Sequence, residues 1–257
     1  MNPYIASCAV LGGYLLGALS MARVIGRIMA PGEDITGQEY NLVGGESMTL
    51  DIVSATNISA RLGAKAGCMV SILDMMKVLV PVLALRLVFP ESPYYLMAAA
   101  AGVVGHNFPV YYRFKGGGGL SAAFGGLLVV DWPAVIITPA AGMILGMLLT
   151  RDAYVASTLW LFLLIPWLWV RTHDGFHMLY ACIMIISFLL ATLPLTKEYI
   201  KLKKKGPEYV LSFYNQFHMG RGLIKIGRWF GLYRNVNFQE TPPEKDEEKN
   251  ETDNHEG

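Results

Sequence analysis

The sequence predicts an all-α polytopic membrane protein with seven membrane helices, one of them short, its N-terminus outside and its C-terminus cytoplasmic. Three observations carry that expectation. Apolar and aromatic residues make up 53% of the chain and charged residues 16%, against about 25% charged in an average soluble domain. The charges avoid the middle: most lie between positions 23 and 65 or beyond 196, leaving long uncharged runs of spanning length. Basic residues are also unevenly shared between alternate loops. One side receives Arg23, Arg27, Arg61, Lys65, Arg113, Lys115, Arg151 and a lysine-rich tail, the other Arg86 and Arg171, and this asymmetry sets the orientation.

The spans are expected at about 4–23, 66–88, 92–112, 120–130, 133–150, 153–170 and 176–195, together forming a membrane domain over 1–196. The first has no basic leader, so it reads as a retained span rather than a secretory signal. Its GYLLGAL run sets small residues where a second helix can approach closely. Residues 30–65 form a polar, glycine-rich loop long enough to be functional. In the second span Asp74 and Lys77 are spaced i,i+3, on one helix face, where they neutralise each other. The third ends in GHNFPVYYRFKGGGG, residues 105–119. The fourth is only about eleven residues long, and Asp131, Trp132 and Pro133 mark the turn after it. Arg151-Asp152 and the turn at 171–175 separate the last three.

Beyond the spans, 197–236 reads as a basic cytoplasmic or interfacial segment. Its five lysines between 197 and 205 suit anionic lipid headgroups. Leu223, Ile226, Phe230 and Tyr233 recur at helical spacing among basic residues, the pattern of an interfacial amphipathic helix. Residues 237–257 read as a disordered acidic tail. Cys8, Cys68 and Cys182 stand singly in apolar runs, without metal-ligand or redox spacing, and are expected to be small buried hydrophobes.

The four glycines Gly116–Gly119 are the feature that asks for an explanation. A glycine run loses much backbone entropy on ordering. Inward-turned amides in such a loop cradle an anion, and the N-terminus of a helix starting at Leu120 adds its positive dipole end. Lys115 supplies a full charge beside it. A phosphate-binding loop at a membrane surface is therefore one reading, and a flexible turn between spans the other. Neither a Walker loop nor a dinucleotide fingerprint fits, because the lysine-serine/threonine pair and the strand–helix setting are missing.

Three segments together resemble the bacterial integral-membrane acyl-phosphate:glycerol-3-phosphate acyltransferases. GHNFPVYYRFKGGGG is similar to that family's second motif, GHxFPVxxxFKGGKG. SATNISARLGAKAG at 54–67 resembles the end of its first motif, GATNxxRxLGxKAG, and LDMMK after it matches LDxxK. Arg151 stands where the family has Thr-Arg, and KEYIKLKKKGPE falls where the third motif, HRxNIxRLLxGxE, belongs. The likeness spans roughly residues 5–210. It departs at Gly118, which replaces a lysine, and at Ala60, where the family's arginine appears one residue late as Arg61. Thr196 and Tyr199 replace a histidine and an asparagine, and the family's upstream Ser-Gly-Asn has no clean counterpart.

The resemblance implies transfer of a fatty acyl group from acyl phosphate to glycerol 3-phosphate, giving lysophosphatidate in phospholipid synthesis at the cell membrane, with no cofactor or metal. It implies anionic membrane lipids, and not nucleic acid, as surroundings. Carried over, it assigns catalytic roles to His106, Lys115 and Arg61. Phosphate or substrate binding falls to Thr56, Asn57, Gly116, Gly117, Gly118, Gly119, Lys203 and Glu208. A divergent homologue that binds phosphorylated lipid without turnover, or uses another acceptor, is the alternative that the departures favour. A solute transporter is a third, against which stands the lack of an internal repeat.

Overall fold

The computed structural model describes residues 1–33, 35–50, 52–216, 218–233 and 236. In chain order these form α1 (Pro3–Gly17), α2 (Met21–Met29), β1 (Gln38–Asn41), β2 (Ser47–Leu50), α3 (Ala55–Leu62), α4 (Ala64–Val88) and α5 (Tyr94–Asn107). There follow α6 (Leu120–Val130), α7 (Trp132–Thr150), α8 (Ala153–Thr158), α9 (Trp160–Thr172), α10 (Gly175–Lys205), α11 (Pro207–Asn215) and α12 (His218–Trp229). The acidic tail expected over 237–257 lies outside the described residues.

Among the described residues five stretches are long and apolar enough to cross a membrane: Pro3–Met29, Ala64–Val88, Trp132–Thr150, Ala153–Thr172 and Gly175–Lys205. The other two expected spans are the shorter α5, of 14 residues, and α6, of 11. The third expected span ends early because Pro109 cannot continue α5; residues 110–112 instead form a short 3-10 turn. The boundary expected at 196 falls inside α10, which runs on through the lysines to Lys205.

Small residues let the helices meet backbone to backbone. A Cβ at Gly17 would collide with the Gly102 carbonyl of α5, and one at Gly125 of α6 with the Met75 carbonyl of α4. The GYLLGAL run thus does what its spacing suggests. α1 breaks after Gly17, and Ser20 caps α2 through the Arg23 amide at 3.4 Å. That break frees the Leu19 carbonyl, which matters below.

The 30–65 region is not the unstructured loop its composition suggested. β1 and β2 pair antiparallel, Tyr40 opposite Met48, around a turn with Gly44 and Gly45 at φ 80° and 77°. Tyr40 and Met48 point inward and are buried. A lone two-stranded hairpin is marginal in water; this one rests on α11, with Gln216 and Ser212 both donating to the Asn41 carbonyl at 2.6 and 3.3 Å. Tyr40, Met48, Tyr199, Leu211, Phe213, Leu223 and Ile224 share one apolar cluster. α12 therefore buries Leu223 and Ile224 against the protein, with Phe230 and Tyr233 partly packed there, and leaves Ile226 and Trp229 outward. The expected interfacial helix is in part a packing element. Cys8, Cys68 and Cys182 are exposed, not buried: each sits on the outward side of a long apolar helix.

Candidate functional site

The polypeptide leaves α5 through a tight turn. Phe114 and Lys115 donate from their amides to the carbonyls of Pro109 and Tyr112 at 3.0 and 3.1 Å, and Arg113 and Phe114 take left-handed φ of 51° and 62°. Tyr14 of α1 donates to the Phe108 carbonyl at 2.8 Å. Arg23 of α2 donates to the Lys115 carbonyl at 2.8 Å and lies over the Tyr112 ring, 4.3 Å from its centroid. The turn is thus held by two other helices before the glycines begin.

Three of the four glycines are dictated by their neighbours. A Cβ at Gly116 would strike the carbonyls of His106 and Asn107 and, at 2.6 Å, the Pro109 ring. At Gly117 it would sit 2.7 Å from Nε2 of His106 and 3.2 Å from the Val53 carbonyl. Gly119 has φ 78° and presses on the Asn107 side chain. Gly118 differs: a Cβ there meets only the Thr192 methyl, at 3.6 Å, an ordinary contact. The run is therefore an ordered loop laid across the end of α5, and Gly118 is its one position with room for a side chain. Among the described residues no side chain caps α6 at Gly119, and the start of that helix presents its positive dipole end to the loop.

Around the loop stand groups that sequence reasoning kept apart. His106 is held through Nδ1 by Lys77 Nζ at 3.0 Å, and Lys77 pairs with Asp74 at 2.7 Å. Asn107 is buried; it donates to the Ser187 hydroxyl of α10 at 2.7 Å, while its Oδ1 has no donor among the described residues. The i,i+3 pair hid its connection to His106 because nothing local signals a partner 29 residues away. Arg23 registered only as a topology charge.

The first-motif residues lie on α3, behind the loop. Asn57 is buried and wholly engaged: it accepts from the Tyr40 hydroxyl at 2.9 Å and donates to the Ile52 carbonyl, while Ser54 caps its amide at 3.4 Å. Thr56 and Arg61 are half-buried, Arg61 in the last turn. Burial raises the Tyr40 phenol well above its ordinary value, with the Arg61 charge pulling the other way.

The third-motif residues gather round Asp152, the N-cap of α8. This buried carboxylate accepts from the Tyr154 and Val155 amides at 2.9 and 3.2 Å, from the Tyr199 hydroxyl at 2.8 Å and from Lys203 at 2.5 Å. Burial opposes its charge, but the bonds from Lys203, Tyr199 and the Val155 amide outweigh that and hold the carboxyl below the usual range. Tyr154 stacks on Tyr199, centroids 4.6 Å apart, and bonds the Thr196 hydroxyl at 2.7 Å. Glu208 sits in the first turn of α11, where an anion suits the dipole, packed on Gly206 at φ 151°. Lys203 and Glu208 thus belong to the Asp152 end, and Lys115, His106 and Gly116–Gly119 to the loop. α10 joins the two ends: Ser187 and Thr192 beside the loop, Tyr199 and Lys203 at Asp152.

The sequence model of a family described as glycerol-3-phosphate acyltransferase matches residues 7–202. A glycerol-3-phosphate acyltransferase from Lacticaseibacillus casei is 30% identical over 220 residues, covering 83% of this chain and 97% of the relative. Glycerol-3-phosphate acyltransferase 1 of Dehalococcoides mccartyi is 29% identical over 187 residues, covering 71% and 83%. Among solved structures, PlsY (YgiH), an integral membrane glycerol 3-phosphate acyltransferase in its glycerol 3-phosphate form, superposes with a TM-score of 0.61 at 25% identity. That match covers 76% of this chain and 92% of the other.

Proposed function

The chain belongs to the glycerol-3-phosphate acyltransferase family, and from that premise we propose that it takes its acyl group from acyl phosphate at the cytoplasmic face of the cell membrane. It is an acyltransferase of phospholipid synthesis acting on glycerol 3-phosphate. The observation that best supports a site assignment is the ordered glycine loop running into the uncapped N-terminus of α6, with His106 against it. Its amides and Lys115 hold the phosphate of the donor. Arg61 and Thr56 of α3 orient glycerol 3-phosphate, and Asn57 serves them by locking α3 to the hairpin. Lys203 and Glu208 fix the far end of α10 and α11 to the site, and the lysines from 197 to 205 gather anionic lipid and substrate.

In the reaction the acceptor hydroxyl attacks the acyl carbonyl carbon. A new C–O ester bond forms, the acyl–phosphate C–O bond breaks, and the hydroxyl proton leaves on a phosphate oxygen. The donor is already activated, so positioning and anion stabilisation suffice. The acyl chain lies along α4 and α6, toward an apolar recess lined by Leu79, Leu83, Leu87 and Leu128. α5 and α6 complete seven crossings, with the N-terminus outside.

The test is purified protein in lipid vesicles given palmitoyl phosphate, with and without glycerol 3-phosphate, reading inorganic phosphate and lysophosphatidate. Phosphate release that needs the acceptor, matches lysophosphatidate mole for mole and disappears in Lys115→Ala is expected. Turnover with acyl-coenzyme A but not palmitoyl phosphate would remove the donor assignment.

A further inference from the structure

Lys77 and Asp74 sit in the membrane helix α4, away from every chemical step just described, yet they are buried to within 5% and 3% of full side-chain burial. Ionisable groups so placed are costly and need partners. The ammonium of Lys77 has three N–H donors and no acceptor. Three acceptors surround it: Asp74 Oδ1 at 2.7 Å, the Leu19 carbonyl freed by the break after α1 at 2.5 Å, and His106 Nδ1 at 3.0 Å. The Leu19 carbonyl and His106 Nδ1 take hydrogen bonds from it, and Asp74 supplies the opposite charge. With Nδ1 accepting, the single proton of a neutral imidazole must reside on Nε2. That nitrogen is the one lying against Gly117, 2.7 Å from where a Cβ would stand.

We infer that Lys77, oriented by Asp74 and the Leu19 carbonyl, locks His106 in its Nε2–H form and so makes it a fixed hydrogen-bond donor into the glycine loop rather than a general base. Lys77 and Asp74 are positioning residues; His106 is the group that meets the anion. A donor held in one tautomer needs no reorganisation as charge builds on a phosphate or oxyanion. The cost of a buried ion pair then has a use, since removing the lock frees the ring to turn or to change tautomer. The charged and titratable groups near His106 are Asp74 and Lys77 of α4, Tyr14 of α1, which binds the Phe108 carbonyl, and Arg23 of α2 with Lys115 on the outer side of the loop. Of these, Lys77 and Asp74 lie nearest the ring, 3.0 and 3.5 Å from Nδ1. The role given to the donor rests on the proposed phosphate site; the tautomer itself does not.

The experiment is nitrogen NMR of the full-length protein in lipid nanodiscs at neutral pH, with imidazole-labelled histidine and His106→Gln to assign the signal, beside kcat/KM. Expected is a pyridine-type Nδ1 and a pyrrole-type Nε2, with a single, unexchanged pair of signals. In Lys77→Met the lock is lost: the two nitrogen signals move toward the averaged positions of exchanging tautomers, and activity at neutral pH falls at least tenfold. The double variant Asp74→Asn with Lys77→Met leaves no unpaired buried charge and gives the same signature if the single variant does not fold. Lys77→Arg, which keeps a donor, restores the tautomer in part. A pyrrole-type Nδ1, an imidazolium at pH 7, or variants with the wild-type spectrum would overturn the inference. A locked tautomer in a protein that does not acylate glycerol 3-phosphate would instead remove the proposed function and leave the lock standing.

Discussion

Two stretches along α10, its middle beside the glycine loop and its C-terminal part at Asp152, solve the same problem, a fixed polar site, by opposite means. At the loop end the shape is set by backbone: Gly116, Gly117 and Gly119 are pressed against α5, and side chains only line the result. At the Asp152 end it is set by side chains, one buried carboxylate taking four donors, the Tyr154 and Val155 amides that it caps, the Tyr199 hydroxyl and Lys203. The loop end also keeps the family's motif nearly intact. The other end carries one threonine and one tyrosine, Thr196 and Tyr199, in its place, and α11 and α12, beyond the family match at 202, pack over it. A backbone-built site has little freedom to drift, because a changed residue collides. A side-chain network can be rebuilt as long as every buried polar group finds a partner.

That contrast can be broken by substitution. The largest effect is expected from Gly116→Ala, whose methyl meets two carbonyls and a proline ring. Acylation should fall at least 100-fold, and thermal unfolding should show a loss of about 1–3 kcal/mol from overpacking. Asp152→Ala comes next. It removes the α8 cap and leaves the Tyr199 hydroxyl unbonded, about 2 kcal/mol in all, read as a lower midpoint in the same assay with a smaller loss of turnover. The same carboxylate gives a pH dependence. Its folded pKa is depressed, so its contribution is complete above the ordinary value of 3.8 and disappears as pH falls through the lower folded value. Acid unfolding below about pH 4 should flatten in Asp152→Asn. Gly118→Lys is expected to fit, since only a methyl lies near, and to lower KM for palmitoyl phosphate severalfold by adding a charge at the loop. Lys205→Ala, which breaks an exposed pair with Glu46, should leave the unfolding midpoint unmoved.

Much of the loop end was legible in the chain itself. Four glycines between a basic residue and an apolar helix single the loop out as a special piece of backbone, and the small residues of GYLLGAL announce a close crossing. The Asp152 end was not, because its parts lie 47 and 51 residues apart and each looks ordinary alone: a helix cap, a tyrosine, one lysine of five. The hairpin escaped for a different reason. Its strands are only four residues long, and the pairing is stabilised by α11 rather than by a pattern of its own. The pair Asp74–Lys77 was visible as an ion pair, but its service to His106 depends on the break in α1, which no local signal marks. The lone cysteines were misread because apolar surroundings in a membrane protein include the lipid.

The central claim is that the glycine loop is a rigid phosphate site whose form is fixed by α5. The most direct measurement is kcat/KM for palmitoyl phosphate in Gly116→Ala and Gly118→Ala, each checked for folding at the assay temperature. Folded Gly116→Ala losing two orders of magnitude while Gly118→Ala loses less than about fivefold would match the spacing of the loop against His106, Asn107 and Thr192. Equal losses in the two variants, or none in either, would contradict it, and the loop would be a connector between helices.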